Sequence, residues 1–504
     1  MITTLLLVPL LGAVLAPLIR ADRAARWFGV AAAAATFGIS LALLSDVDGA
    51  VSSTVDPRHE TDWQWIPALG VRFHVGVDGV SVPLVILTTL LCLLCMVYSL
   101  TSLPAPGRAP AFTGLVLLTE VGMLGTFVAL DLVLFFVFFE VVLVPMYFLI
   151  AVWGGSAAAR RAATKFVLYT LLGSVLVLVG IVTVYASAGT FDIVELSRRG
   201  GAGIAHGTQV AAFLALFLGF AVKSPLYPLH TWLPDAHTEA PTVGSVLLAG
   251  VLLKMGTYGL VRAAVPVVPE GAHTLAPALG VLAVAGIVVG SLCCLAQTDV
   301  KRLIAYSSVG HMGFVLLGIA TLTPTGINAA LLANIAHGII TGLLFFLVGG
   351  VKDRYHTGDL ASLGSGLMAR LPVLGGLFLL ACVASLGLPG LASFWGEALA
   401  LLAAFRPAPG LPGPLFGVLL AVAAVGTALT TAYFLRLLRM LVTGPDAPGT
   451  GLSQVDGVAV DARRLELLAW APLALLAVVV GLYPRLVLGL TDAPVQALLG
   501  VFGR

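Results

Sequence analysis

Charge is scarce in this chain. Only 10% of its 504 residues are Asp, Glu, Lys or Arg, 59% are hydrophobic, and the mean hydropathy is +1.07. So little charge excludes a water-soluble globular domain of this length. The net charge is only +2, and no nucleic-acid partner is expected. Cysteine is rare too, with five residues: Cys92, Cys95, Cys293, Cys294 and Cys382. All fall in apolar runs, and the C-x-x-C at Cys92 has no second pair or nearby histidine, so they read as small apolar residues with no zinc or redox role. Neither G-x-x-x-x-G-K-[ST] nor a strand-borne G-x-G-x-x-G occurs, which leaves nucleotide binding unsupported. No metal or cofactor is expected in this chain. Long polar stretches are also missing: 46–80, 188–208 and 441–464 are each too short to bury a core of their own.

What the chain has in abundance is apolar runs of about 20 residues, the length that crosses a bilayer. They predict an all-α polytopic membrane protein, one membrane domain over 1–504. Fourteen spans are expected, near 2–19, 27–45, 81–101, 112–130, 132–151, 164–187, 209–228, 243–264, 275–296, 303–321, 327–350, 371–404, 413–440 and 465–489. Met1–Leu18 lacks a basic start and an A-x-A-like cleavage site, so it reads as a retained first helix. Sixteen of the 26 Lys and Arg residues follow odd-numbered spans, Arg160, Arg161, Lys301 and Arg302 among them. Eight, including Arg262 and Arg504, lie in or beside the even-numbered loops and the tail. The positive-inside rule then makes the odd loops cytoplasmic and puts both termini on the outer face. The acidic loop 46–80, with Glu60, Asp62 and Asp78, is then external.

Two spans carry interruptions. The seventh ends in Lys223-Ser224-Pro225-Leu226-Tyr227-Pro228-Leu229-His230-Thr231-Trp232-Leu233-Pro234, and the twelfth contains Leu386-Gly387-Leu388-Pro389-Gly390. Proline removes a helix donor and glycine loosens the turn, and non-helical backbone at membrane depth is tolerated only where protein or a water-filled cavity satisfies it. Broken helices at matching places in two halves are the mark of inverted-repeat transporters. Two inverted five-helix repeats, 112–264 and 275–440, are expected, with broken helices 7 and 12. The alternative is that these prolines only kink packed helices.

Four ionisable residues stand inside apolar spans: Glu140, Lys223, Lys254 and Glu397. A central Lys or Asp costs about 2.5–3.5 kcal/mol on insertion scales, so such residues face a partner or an internal water path. A Glu and a Lys facing each other across helices form a coupled pair, in which moving one charge changes the proton affinity of the other. That is the chemistry of a proton pump; a static ion pair would account for one such pair better than for four residues on spans five, seven, eight and twelve. His230, His311 and His337 are candidates to continue the path, since imidazole takes a proton on one nitrogen and releases it from the other. His337 is favoured, between Asn334 and Thr341; a lone membrane histidine often only bonds a neighbouring helix. Glu120 is either an auxiliary proton site or a partner for a hydroxyl such as Thr119. His237 and Glu239 are assigned to a cytoplasmic loop.

The run from Lys223 to His237, Leu253-Lys254-Met255-Gly256-Thr257-Tyr258-Gly259, Asp299-Val300-Lys301-Arg302-Leu303-Ile304-Ala305-Tyr306-Ser307-Ser308 and Val77-Asp78-Gly79-Val80-Ser81 together resemble the antiporter-like subunits of respiratory complex I, over essentially the whole chain. The M-type subunits of bacterial NADH-quinone oxidoreductase are the most similar. The resemblance implies a Glu140–Lys223 pair, a relay lysine at Lys254 and a terminal proton site at Glu397. L-type and N-type subunits, and the D subunit of multisubunit sodium/proton antiporters, carry lysine at that last position. It further implies a subunit of a proton-translocating enzyme in the bacterial cell membrane with no redox chemistry of its own. Flavin and iron–sulfur clusters would sit in other subunits, and the L-type and N-type subunits would be its neighbours within the bilayer. The alternatives are a cation/proton antiporter subunit and a membrane subunit of a hydrogenase-type complex.

Overall fold

The computed structural model describes residues 1–46, 57–444 and 460–500, and its architecture is helical. In chain order the longer helices are α1 (Ile2–Leu15), α2 (Asp22–Ala42), α3 (Val82–Ser99), α4 (Ala109–Val128), α5 (Leu132–Trp153), α6 (Ala159–Ala188), α7 (His206–Lys223) and α8 (Thr242–Ala264). Then come α9 (Pro269–Ala296), α10 (Val300–Ala320), α11 (Pro324–Tyr355), α12 (Pro372–Ser385), α13 (Ala392–Phe405), α14 (Gly413–Val442), α15 (Arg464–Leu482) and α16 (Arg485–Leu499). Among the described residues twelve helices are long and apolar enough to cross a membrane. The expected first span is the shorter apolar helix Ile2–Leu18, and the expected twelfth is the pair α12 and α13.

Helix α7 stops because Pro225 and Pro228 cannot continue its ladder. The exposed carbonyls find other donors: Trp232 Nε1 donates to Val222 O at 2.9 Å and Leu226 N to Ala221 O at 2.9 Å. The chain resumes as a short helix, Leu233–Glu239. The break between α12 and α13 turns on Gly387 and Gly390, whose φ of 74° and 91° lie in the left-handed region that a side chain disfavours.

Loop 46–80 corrects the sequence reading. It holds a β-hairpin, β1 (Arg58–Ile66) antiparallel to β2 (Val71–Val77), and its Asp78 is wholly buried, not an external acid. Arg504, counted in the orientation argument, lies outside the described residues. Two of the basic residues counted there are buried at helix ends: Arg262 ends α8 with no exposed surface, and Lys301 opens α10 at 4% exposure. His237 is not in a loop but in the helix Leu233–Glu239, with no exposed surface.

Two caps fix the helix entries. Asp131 accepts from Val133 N and Leu134 N at the head of α5, and Asp299 accepts from Arg302 N at the head of α10. Each capping residue also bridges the strand-like turn after the next helix, Asp131 with Asp192 and Asp299 with Asp359. The first bridge lies on the hairpin face of the bundle and the second on the opposite face. Close helix contacts rest on glycine: a Cβ at Gly219 on α7 would lie 2.4 Å from Gly173 O on α6. Helices α8 and α11 are sealed within the protein, whereas α2 and α14 are largely exposed. The two sealed helices carry Lys254 and His337.

Candidate functional site

Helix α8 is wound unevenly around Lys254, with π-turns at Leu248–Leu252 and Leu260–Ala264 on either side. A π-turn shifts the hydrogen-bond ladder and frees a carbonyl. Lys254 Nζ donates to Ala249 O in the first of these turns. The same Nζ lies 2.6 Å from His337 Nδ1 on α11. Two full charges cannot share that contact in a dry interior, so an ammonium on Lys254 places the imidazole proton of His337 on Nε2. Thr257 donates to Asn334 Oδ1 at 3.1 Å and pins α8 to α11 beside this contact.

From His337 the polar line crosses to His311 on α10, with ring centroids 5.7 Å apart. His311 Nδ1 lies 3.0 Å from Glu397 Oε1 on α13, and its Nε2 lies 3.2 Å from Ser385 Oγ at the end of α12. His311 and Glu397 are each 7% exposed. The second carboxylate oxygen of Glu397 and Nε2 of His337 are buried with no protein partner among the described residues. Buried polar atoms of that kind are normally met by internal water. Four residues picked out by sequence, Lys254, His337, His311 and Glu397, therefore stand in one line across α8, α11, α10 and α13.

Glu140 and Lys223 form a second, looser group. Glu140 on α5 accepts a hydrogen bond from Ser174 Oγ on α6. Lys223 Nζ at the end of α7 does not reach the carboxylate; it donates to Phe139 O at 3.0 Å and lies 4.2 Å from the centre of the Phe139 ring. The two charges act on each other through space without touching. Between Lys223 and Lys254 the helices nearly meet, for a Cβ at Gly256 would lie 2.5 Å from Phe220 O. The buried hydroxyl of Ser224 lies in that seam with no partner among the described residues.

His230 does not join the other two histidines. It sits in the break after α7 between Tyr227 and Tyr306, with centroids at 5.8 and 6.2 Å. His237, misassigned from sequence, has the better position: it stacks on Phe345 of α11 at 4.5 Å and lies within electrostatic reach of both Lys301 and Lys254. Lys301 Nζ donates to Ala240 O at 2.7 Å and lines a cavity of ≈ 660 Å³ on the face opposite the hairpin, with Tyr98, Lys352, Asp353, His356 and Arg463. Glu120 on α4 is fully buried, and both its oxygens lack a partner among the described residues. Thr119 does not serve it, since that hydroxyl donates to Leu115 O. Ser174, Ser224 and Ser385 carried no sequence signal, serine being common in membrane helices. Among the described residues no group of three or more His, Cys, Asp or Glu is placed to hold a metal ion.

Residues 129–425 match the family described as NADH:quinone oxidoreductase/Mrp antiporter, TM. The chain belongs to this family. Within the family it is 41% identical over 488 residues to NADH-quinone oxidoreductase subunit M of Rhodobacter capsulatus, covering 95% of this chain and 91% of the relative. It is equally identical over 489 residues to NAD(P)H-quinone oxidoreductase chain 4 1 of Synechococcus sp., covering 96% and 90%. Among solved structures it superposes on a chain of respiratory complex I from Thermus thermophilus with bound NADH, at a TM-score of 0.88, 30% identity and full coverage of both chains. The Mrp complex from Dietzia sp. gives a TM-score of 0.84 at 25% identity, covering 99% of this chain and 52% of that one. The family match spans Glu140, Lys223, Lys254, His311, His337 and Glu397, so the polar line lies wholly within it.

Proposed function

We propose that this chain is a proton-translocating subunit in the membrane arm of an NADH-quinone oxidoreductase of the bacterial cell membrane. The placement of the buried side chains Lys254, His337, His311 and Glu397 in one line across four neighbouring helices carries the reading. Protons would enter at the cavity beside Lys301, pass His237 to Lys254, and move through His337 and His311 to Glu397. Water bridging the two imidazoles would complete the 5.7 Å step. Lys223 and Glu140 act as a charge switch beside Lys254: a change at one is felt at the other without a shared hydrogen bond.

The two Asp–Asp bridges support the proposed inverted repeats, 112–264 and 275–440. Each joins a helix-capping aspartate to the residue that opens the element after the next helix, by the same pair of backbone bonds: Leu132 N to Phe191 O with Ile193 N to Leu130 O, and Val300 N to Gly358 O with Leu360 N to Thr298 O. Their positions on opposite faces fit inversion. The basic residues Arg160, Arg161, Arg302, Lys352 and Arg354 crowd the face opposite the hairpin, which supports placing that face in the cytoplasm and both termini outside. Antiporter-like subunits of the L and N types are the expected neighbours, and electron transfer belongs to other subunits of the complex. The high identity to subunit M relatives favours this reading over a free-standing antiporter.

The test is Glu140→Gln in membrane vesicles, with NADH-driven quinone reduction and proton pumping measured after assembly is confirmed by blot. Both activities are expected to fall together by about a hundredfold or more, the scale of a lost acid–base group. Unchanged activities in assembled complex would refute the coupled-module reading.

A further inference from the structure

The hairpin end of α8 holds a buried ion pair that the proton line does not use. Arg262 lies in the second π-turn, eight residues after Lys254. Its Nη1 donates to Asp78 Oδ2 at 2.6 Å, and neither side chain has exposed surface. Its Nε donates to the Tyr258 hydroxyl at 3.0 Å, which in turn donates to Phe127 O at 2.8 Å. Asp78 is held from the other side by Val80 N and Ser81 N, each 3.0 Å from Oδ1. The loop is pressed in place by α16: a Cβ at Gly79 would lie 1.9 Å from Leu490 O.

An arginine never releases its proton in a protein, so Arg262 is a permanent charge. Eight residues of helix set it ~12 Å along the axis from Lys254. At ~12 Å and an effective dielectric of about 20, an unpaired guanidinium would weaken the hold of Lys254 on its proton about tenfold. We propose that Asp78 is the counter-ion that hides the charge of Arg262 from Lys254. Asp78 and Arg262 are thus positioning residues for the relay, acting through the field along α8. Two backbone N–H donors grip one carboxylate oxygen of Asp78 and the guanidinium grips the other. The other titratable or charged groups around α8 include His337 on α11 with His311 behind it, His237 on the short helix, Lys223 on α7, Glu120 on α4, Cys95 and Tyr98 on α3, and Tyr258 on α8 itself.

The inference rests on the relay reading of Lys254, and Lys254→Met tests that reading separately, by loss of pumping in assembled complex. The pair is tested by the pH profile of NADH-driven pumping in vesicles. Asp78→Asn exposes the positive charge, and the alkaline limb moves down by about one pH unit. Arg262→Gln leaves the carboxylate unpaired, and the limb moves up by a similar amount. The double variant Asp78→Asn/Arg262→Gln restores the wild-type profile. A purely structural clamp would lower the amount of assembled complex and leave every profile in place, and that result overturns the proposal. If one single variant fails to assemble, the direction of the other decides. A double variant that no longer pumps, or pumps with a shifted profile, overturns the proposal by itself.

Discussion

Lys254 Nζ and His337 Nδ1 stand 2.6 Å apart on the two helices most fully sealed from the membrane. One proton serves both groups, because two adjacent cations in a dry interior repel by several kcal/mol. The lysine is therefore unable to hold its proton independently of the imidazole, and what happens at His311 and Glu397 reaches it through His337.

Replacing His337 by Phe cuts this line without adding charge. Coupled quinone reduction and pumping are expected to fall by about a hundredfold, the lower range for a lost proton-transfer group. His337→Gln retains a hydrogen-bonding side chain that cannot carry a proton, and the same loss is expected from it. Vesicle assays on blot-confirmed complex check this; pumping at the wild-type rate in either variant would remove His337 from the path.

Ser174 is the one hydroxyl that holds the Glu140 carboxylate among the described residues. A hydrogen bond to a charged group is worth about 1.5–3 kcal/mol, so Ser174→Ala should slow coupled turnover by about tenfold while leaving assembly intact. Ser174→Thr keeps the hydroxyl and is expected to recover most of the rate. Turnover per assembled complex, compared across the three forms, is the measurement. Equal rates would mean that the hydroxyl only fills space.

The charged residues of this site were legible because an apolar run makes any charge conspicuous, as at Lys223 and Lys254. The breaks after α7 and α12 were legible for a related reason: Pro225 removes a helix donor, and Gly387 and Gly390 loosen the turn. Contacts were not. Asp78 and Arg262 are separated by 184 positions, and each alone resembles a loop residue. His237 was misread because prolines at 234 and 241 flank it and Asp235 and Glu239 stand beside it, yet the short helix turns its ring inward onto Phe345. The failure of Lys223 to touch Glu140 lies beyond sequence, since it depends on how far α5 is turned relative to α7.

The hairpin face titrates, and the sign can be worked out. His74 Nδ1 lies 2.8 Å from Asp192 Oδ2 and its Nε2 lies 3.1 Å from Glu60 Oε1. Burial alone would lower the His74 value, but the Asp192 and Glu60 carboxylates outweigh it and hold the imidazole above its ordinary range. Burial likewise works to raise Asp192, yet the His74 contact and the Glu195 N–H hold it below the usual carboxylate value. The raised histidine contributes stability that is complete below about pH 6.5 and is lost as pH rises through its folded value. The lowered aspartate contributes above about pH 4 and is lost as pH falls through its folded value. The hairpin is therefore docked most firmly between about pH 4 and 6.5 and loosens toward alkaline pH. Limited trypsin cleavage at the exposed Arg72 should accelerate from pH 6 to 9 beyond the pH dependence of trypsin on an unfolded control. In His74→Asn that excess should vanish, because the side chain no longer titrates. A wild-type cleavage rate that follows the control across this range would show that the His74–Asp192 contact does not hold the hairpin down.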